Sequence, residues 1–203
     1  MNERAVAHTF LISLAVFLAL GMAGSLACAQ EIAGELVFED PFEEDSGITG
    51  WYVVGGGSAT DYGPVGDGFE GGTAQVIVVD DPGDGLNDVQ FSYEFPAPEG
   101  ADQYPWRITC YIWVDIAPFM IRPIIAMSED PWTGTYVELE IPQDQAQKWF
   151  FLDVTVDPGD FLTTPNVIVI FHMGANDAVE VRFDNLKVYL LNKEADVDYW
   201  MVY

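Results

Sequence analysis

From Leu36 to Leu190 the sequence is a succession of short apolar or alternating runs, each closed by a cluster of Gly, Pro, Asp or Asn. That punctuation predicts an all-β fold. The runs fall at residues 36–38, 51–54, 73–79, 89–95, 107–115, 121–127, 136–141, 149–156, 167–173 and 179–190. Helical spacing nowhere persists over a useful length, and the nearest case, residues 143–149, is a single polar turn. With no repeat or linker between them, the runs predict one two-sheet jelly-roll β-sandwich over residues 30–191.

Alternation assigns faces within the runs. Ile108, Cys110, Ile112 and Val114 share a core face, opposite Arg107, Thr109, Tyr111 and Trp113. Val137, Leu139 and Ile141 oppose Glu138 and Glu140, and Val179, Val181 and Phe183 oppose Glu180, Arg182 and Asp184. The run from Val167 to Met173 is apolar on both faces, the pattern of a central strand.

The first 29 residues have another character. Arg4 and His8 precede an apolar run from Phe10 to Met22, and small residues follow at Ala27-Cys28-Ala29. This is the layout of a secretory signal peptide, too short in its apolar part for a comfortable membrane span, and it predicts a secreted, extracellular chain. Ser25-Leu26-Ala27-Cys28 is also similar to a bacterial lipobox, with Leu two rather than three places before the Cys. A lipid anchor at Cys28 is the alternative to ordinary secretion. Either way Cys110 is left without an internal disulfide partner.

Charge narrows the function classes. Thirty-three acidic against seven basic residues give a net charge of -26, which excludes the clustered Lys and Arg that phosphate binding needs, so nucleic acid is no expected partner. Half of the residues are hydrophobic, with 13 Phe, 9 Tyr and 6 Trp, more core-forming material than a disordered acidic chain carries.

Certain landmarks narrow the class further: Phe42-Glu43 followed by Gly50-Trp51, the Gly-rich stretch from Gly63 to Thr73, the strand from Trp106 to Val114, Trp149 opening a late strand, and the closing Phe183-Asp184-Asn185-Leu186-Lys187-Val188. Their order resembles carbohydrate-binding modules of the cellulose- and xylan-binding kind, within the galactose-binding-like jelly-roll superfamily. The resemblance implies a structural calcium ion where the first and last strands meet, with Glu43 and Asp184 as ligands and Glu44 or Asp45 as additions. The alternative reading makes residues 43–45 a solvated acidic turn and Asp184 part of a bulge with Asn185. A second acidic cluster, Asp80 to Asp88, lacks the spacing of an EF-hand loop and reads as a surface turn.

The resemblance also implies a polysaccharide or glycan ligand. Sugar sites combine aromatic rings with planar hydrogen-bonding groups. If their strands belong to one sheet, Arg107, Tyr111, Trp113, Arg122, Glu138, His172 and Arg182 line a glycan cleft on its open face. The alternative is that the three arginines pair with Glu138, Glu140 and Glu180 across strands. Trp106 and Trp132, each beside a Pro, read as loop tryptophans suited to stacking on a ligand, whereas Trp51 and Trp149 read as packing residues.

Nothing in the sequence carries a nucleophile elbow, a zinc cluster or a phosphate-cradling loop, so the expectation is a binding module and no enzyme. A structural or cell-surface interaction module of the same fold is one alternative. A jelly-roll polysaccharide lyase with His172 as base and Tyr111 as acid is another. The tail of residues 192–203, ending Tyr199-Trp200-Met201-Val202-Tyr203, is a candidate for strand pairing with another chain.

Overall fold

The computed structural model describes residues 34–130, 132–157, 159 and 162–191. The signal-peptide and lipobox readings and the tail all lie outside them. Twelve strands are present among the described residues: β1 (Gly34–Asp40), β2 (Tyr52–Val54), β3 (Ser58–Gly66), β4 (Thr73–Asp81), β5 (Gln90–Pro96), β6 (Trp106–Val114), β7 (Phe119–Met127), β8 (Gly134–Tyr136), β9 (Leu139–Ile141), β10 (Phe150–Val156), β11 (Asn166–His172) and β12 (Val179–Leu191). They form two antiparallel sheets. Sheet A runs β10-β6-β12-β4-β3 with β1 also on β12, and sheet B runs β2-β5-β11-β7-β8 with β9 also on β7. This is the expected jelly-roll β-sandwich.

The alternation holds along β6 and β12 except at Thr109 and Asp184, outer-face positions that are buried to 6% and 1%. In β6, Ile108, Cys110, Ile112 and Val114 are buried, while Arg107, Tyr111 and Trp113 are partly exposed on the outer face. The strand that is apolar on both faces, β11, lies at the centre of sheet B between β5 and β7. Cys110 is a buried free thiol whose pKa burial pushes upward.

Two departures have local causes. The run at 136–141 is two strands, because β7 carries Pro123 opposite the break: Val137 N–H donates to the Pro123 carbonyl at 3.3 Å, and Pro123 has no N–H to return. Strand β3 escaped the reading because it pairs only with β4, at the sheet edge, with two register shifts. An edge strand tolerates Gly63 and Pro64 and needs little apolar material.

Aromatic rings bridge the sheets. Phe183 of β12 meets Phe171 of β11 at 4.8 Å and Phe91 of β5 at 5.3 Å, and Trp51 stacks on Phe91 at 4.2 Å. Trp51 Nε1–H donates to Asp40 Oδ2 at 2.8 Å, and the other oxygen of Asp40 accepts the Phe42 N–H at 2.7 Å, holding Phe42 at φ 55°. Trp106 is a correction to the loop reading: it opens β6, is fully buried, and donates Nε1–H to the Ala101 carbonyl at 3.0 Å. Emptying this spine is costly. Phe183→Ala is expected to lose about 3–5 kcal/mol of unfolding free energy in urea titrations, as large-to-small core changes do. Trp51→Phe, which keeps a ring but leaves Asp40 without its indole donor, is expected to lose about 1–3 kcal/mol.

Candidate functional site

The outer face of sheet B is hollowed into a groove of about 600 Å³. Register builds it in rows. Val54, Gln90, His172 and Arg122 lie side by side across β2, β5, β11 and β7. The next row is Tyr52, Ser92, Ile170, Ile124 and Tyr136, reaching β8. Beyond it lie Glu94, Ile168, Ala126 and Gly134. Outer-face residues are ordinarily exposed, yet Ser92, Ile168 and Ala126 are all buried to 2% or less, on strands that β2 and β8 flank at the sheet edges. The floor is therefore apolar and the walls are aromatic.

Each wall has its own construction. Tyr52 stands on β2, where burial and the Glu94 carboxylate push its phenol pKa up. On the far wall Trp132, Gly134 and Tyr136 alternate toward the groove, with Trp132 59% and Tyr136 54% exposed. Trp132 holds the left-handed φ of 58°, uncommon for a bulky residue. Gly134 packs on the floor so closely that a Cβ there would lie 2.7 Å from Ile124 Cγ2 and 2.9 Å from Ala126 Cβ.

One end of the groove is polar. Arg122 donates from Nη2 to Glu138 Oε2 at 2.6 Å, and its guanidinium carbon lies 4.6 Å from the Tyr136 ring centroid. His172 sits between Arg122 and Gln90, its Nδ1 buried without a partner. Burial first, and then the Arg122 charge, lowers its pKa to about 4, so the imidazole is neutral at pH 7. Among the described residues lining the groove there is no carboxylate, but two carboxylates adjoin them: Glu138, bonded to Arg122, and Glu94, the cross-strand partner of Ile168.

The seven residues grouped by sequence do not share one face. Arg122, Glu138 and His172 belong to the sheet B side, whereas Arg107, Tyr111 and Trp113 of β6 and Arg182 of β12 lie on the outer face of sheet A. The single cleft is corrected on that ground: alternation fixes a face but leaves the choice of sheet open. The same division separates His172 from Tyr111, so the acid–base pair of the lyase reading lies on opposite sides of the sandwich. The arginines on sheet A have acidic partners. Arg107 makes a bidentate pair with Asp153 at 2.7 and 2.6 Å, rather than with the glutamates considered. Arg182 pairs with Glu180 at 2.7 Å within its own strand, and its guanidinium carbon lies 4.5 Å from the Trp113 ring centroid. Of the loop tryptophans, Trp132 is the one at the groove. Tyr52, Gln90, Ser92 and Tyr136 were not singled out by sequence, although the apolar outer face of β11 was a sign that something covers it.

Glu43 and Asp184 do come together. Glu43 Oε2 accepts from Thr73 N–H at 3.2 Å and Thr73 Oγ1 at 3.1 Å, and Asp184 Oδ2 accepts from Phe69 N–H at 2.6 Å. Asp184 is 1% exposed with Oδ1 lacking any partner, and burial, with a contribution from the Glu43 charge, raises its pKa to about 6. A Cβ at Gly72 would strike the Glu43 carboxylate, and one at Gly68 would lie 3.0 Å from Asp184 Oδ2. The orphaned buried oxygen of Asp184 beside the Glu43 carboxylate is donor chemistry of the kind a hard cation takes, as two of the roughly six to eight oxygen ligands that Ca²⁺ uses. Glu44 and Asp45 lie on an exposed turn, and among the described residues no third acidic, His or Cys side chain completes a cluster. Asp184 also adjoins the predicted bulge, with Asn185 at φ 51°. In the second acidic cluster Asp88 Oδ2 accepts the N–H groups of Asp84 and Gly85, closing a turn.

With this geometry in view, solved structures share the architecture. A family 4 carbohydrate-binding module (CBM4) superposes with a TM-score of 0.54 at 21% identity, over 69% of this chain and 86% of that one. The CBM22-1 xylan-binding domain of Xyn10C from Paenibacillus barcinonensis gives 0.55 at 14% identity, over 79% and 97%. A putative sugar-binding protein from Bacteroides thetaiotaomicron gives 0.52 at 12% identity, over 70% and 87%. The chain has the carbohydrate-binding-module jelly-roll fold. No family model matches it, and no curated protein matches it in sequence.

The depressed His172 value gives a pH test. Because the folded-state pKa is below the unfolded one, the unfolded chain takes up the proton first, and this residue's contribution to stability falls as pH drops from about 6.5 toward 4. By NMR the imidazole is expected to titrate near pH 4. Arg122→Gln is expected to raise that midpoint while leaving it below 6.5, since burial is the larger cause.

Proposed function

We propose that this protein is a secreted, non-catalytic carbohydrate-binding module that holds a polysaccharide segment in the sheet B groove and is steadied by calcium at Glu43 and Asp184. The observation that carries the reading is the groove itself: Tyr52 on one wall, Trp132 and Tyr136 on the other, an apolar floor, and a polar end of Gln90, His172 and Arg122. Rings of this kind stack on the apolar faces of sugars, while the polar end fixes hydroxyls. The fold shared with sugar-binding modules supports the same ligand class.

Binding without cleavage is favoured by what the groove presents. Glycoside hydrolysis generally uses two carboxylates about 5–10 Å apart, whereas of the two that adjoin the groove Glu138 is engaged by Arg122 and Glu94 lies beside Tyr52 and Ile168. Secretion rests on the charged, apolar and small-residue order of the first 29 residues. Calcium is supported by the orphaned Asp184 Oδ1 beside Glu43; when bound, the ion supplies the positive charge that two neighbouring carboxylates lack.

In affinity electrophoresis with calcium present, at least one neutral or acidic polysaccharide is expected to retard the protein. Trp132→Ala and Tyr136→Ala are each expected to weaken that binding about tenfold, or ~1.4 kcal/mol. Phe151→Ala, on the opposite sheet, is expected to leave it unchanged. No retardation on any gel overturns the reading. For calcium, melting with the ion at a hundred times its Kd should show about 2.7 kcal/mol of added stability, lost on chelation; an unchanged midpoint removes the metal.

A further inference from the structure

The loop of residues 67–72, between β3 and β4, touches two places at once. Its backbone hangs on the carboxylate pair: Phe69 N–H bonds Asp184 Oδ2 at 2.6 Å, and just beyond the loop Thr73 N–H bonds Glu43 Oε2 at 3.2 Å. Its side chains lie on the outer face of sheet A. The Phe69 ring stacks on Tyr111 with centroids 3.6 Å apart and meets Trp149 edge-on at 6.1 Å, while Asp67 reaches Arg182 at 3.6 Å. Tyr111 is itself the cross-strand partner of Asp184. One residue, Phe69, therefore carries the carboxylate site on its amide and the aromatic face on its ring.

The loop is held in a demanding conformation. Asp67 and Glu70 sit at φ 71° and 59°, and Gly71 and Gly72 at 94° and 90°. The glycines adopt such angles freely, but Asp67 and Glu70 persist there only where their surroundings over-determine them. Of those surroundings, the carboxylate pair is the part a cation would act on: Asp184 is buried with Oδ1 unpartnered and feels the Glu43 charge, so a positive charge between the two favours the ionised form that accepts the Phe69 N–H. Either carboxylate that swings away takes its N–H bond with it, and Phe69 N–H is one of the two.

We infer that the 67–72 loop is a cation-responsive cover over the aromatic row of sheet A: a cation between Glu43 and Asp184 pins Phe69 on Tyr111, and its removal lifts Phe69 and bares Tyr111 beside Phe151. This rests on the calcium reading above. Phe151 is already 50% exposed and lies 5.0 Å from Tyr111, so the uncovered surface is a contiguous aromatic one. The device couples the end of the sandwich that takes the ion to the face opposite the groove.

The test uses the full chain with calcium alone as the probe. Calorimetry records binding, near-UV circular dichroism records the packing of Tyr111 and Trp149, and hydrogen exchange by mass spectrometry follows the peptide covering 67–72. Calcium is expected to slow exchange in that peptide by about tenfold, as expected for a locally opening segment that becomes closed, and to sharpen the near-UV bands. In Phe69→Ala calcium still binds, but the near-UV change is lost. Binding by calorimetry with neither exchange nor near-UV bands altered overturns this inference while leaving the calcium site standing. No binding at all removes both.

Discussion

The ring contacts between Phe183, Phe91, Phe171 and Trp51 are what the rest of the molecule is arranged around. They join the sheets, and because side chains alternate along a strand, each ring turned inward commits its neighbours to an outer face. Phe91 places Gln90 and Ser92 in the groove, and Phe171 does the same for Ile170 and His172. At the two ends of the chain the same rings place carboxylates. Phe42 is buried, with its backbone fixed by Asp40, and Glu43 follows it; Phe183 is buried, and Asp184 follows it. The pairing of Glu43 with Asp184 is thus a consequence of where two phenylalanines are buried.

What was legible in the sequence was periodic, and what was hidden was pairing. Alternation put Arg107, Arg122 and Arg182 on outer faces, which is where they are. It carried no information on sheet membership, so residues from opposite sides of the sandwich were read as one cleft. The carboxylate pair comes from the resemblance to carbohydrate-binding modules, carried by the Phe42-Glu43 and Phe183-Asp184-Asn185 landmarks, and not from periodicity. Trp106 and Trp132 illustrate the limit. Each stands beside a proline, yet one is fully buried at the start of β6 and the other is 59% exposed at the groove. Local sequence is alike for the two; the distinction comes from the long-range pairing of β6 with β12 and of β8 with β7. Strand β3 was missed for a related reason, since an edge strand can be built from Gly, Pro and Asp when its partner supplies the apolar residues.

The two outer faces differ in how they meet water. On sheet A, arginines lie against Asp153, Glu180 and Asp67, and such partly exposed pairs contribute only about 0.2–1 kcal/mol each. Their stems and the rings of Tyr111 and Trp113 cover the strands, leaving that face occupied by its own side chains. On sheet B the equivalent positions of β11 and β7 are Ile168, Ile170, Ile124 and Ala126, which cannot satisfy solvent and are shielded by the raised edges instead. Concavity follows from that choice of residues.

Electrostatics completes the contrast. The chain carries a net charge of -26, yet Arg122 is the one charged residue in the described lining of the groove, with the carboxylates of Glu138 and Glu94 adjoining it. Its guanidinium is neutralised by Glu138, and its imidazole is kept neutral by burial and by that guanidinium. The field of the surrounding carboxylates is screened over a Debye length of about 8 Å at physiological salt. The lining is mostly rings and aliphatic side chains, with Gln90, His172 and Arg122 as its polar end.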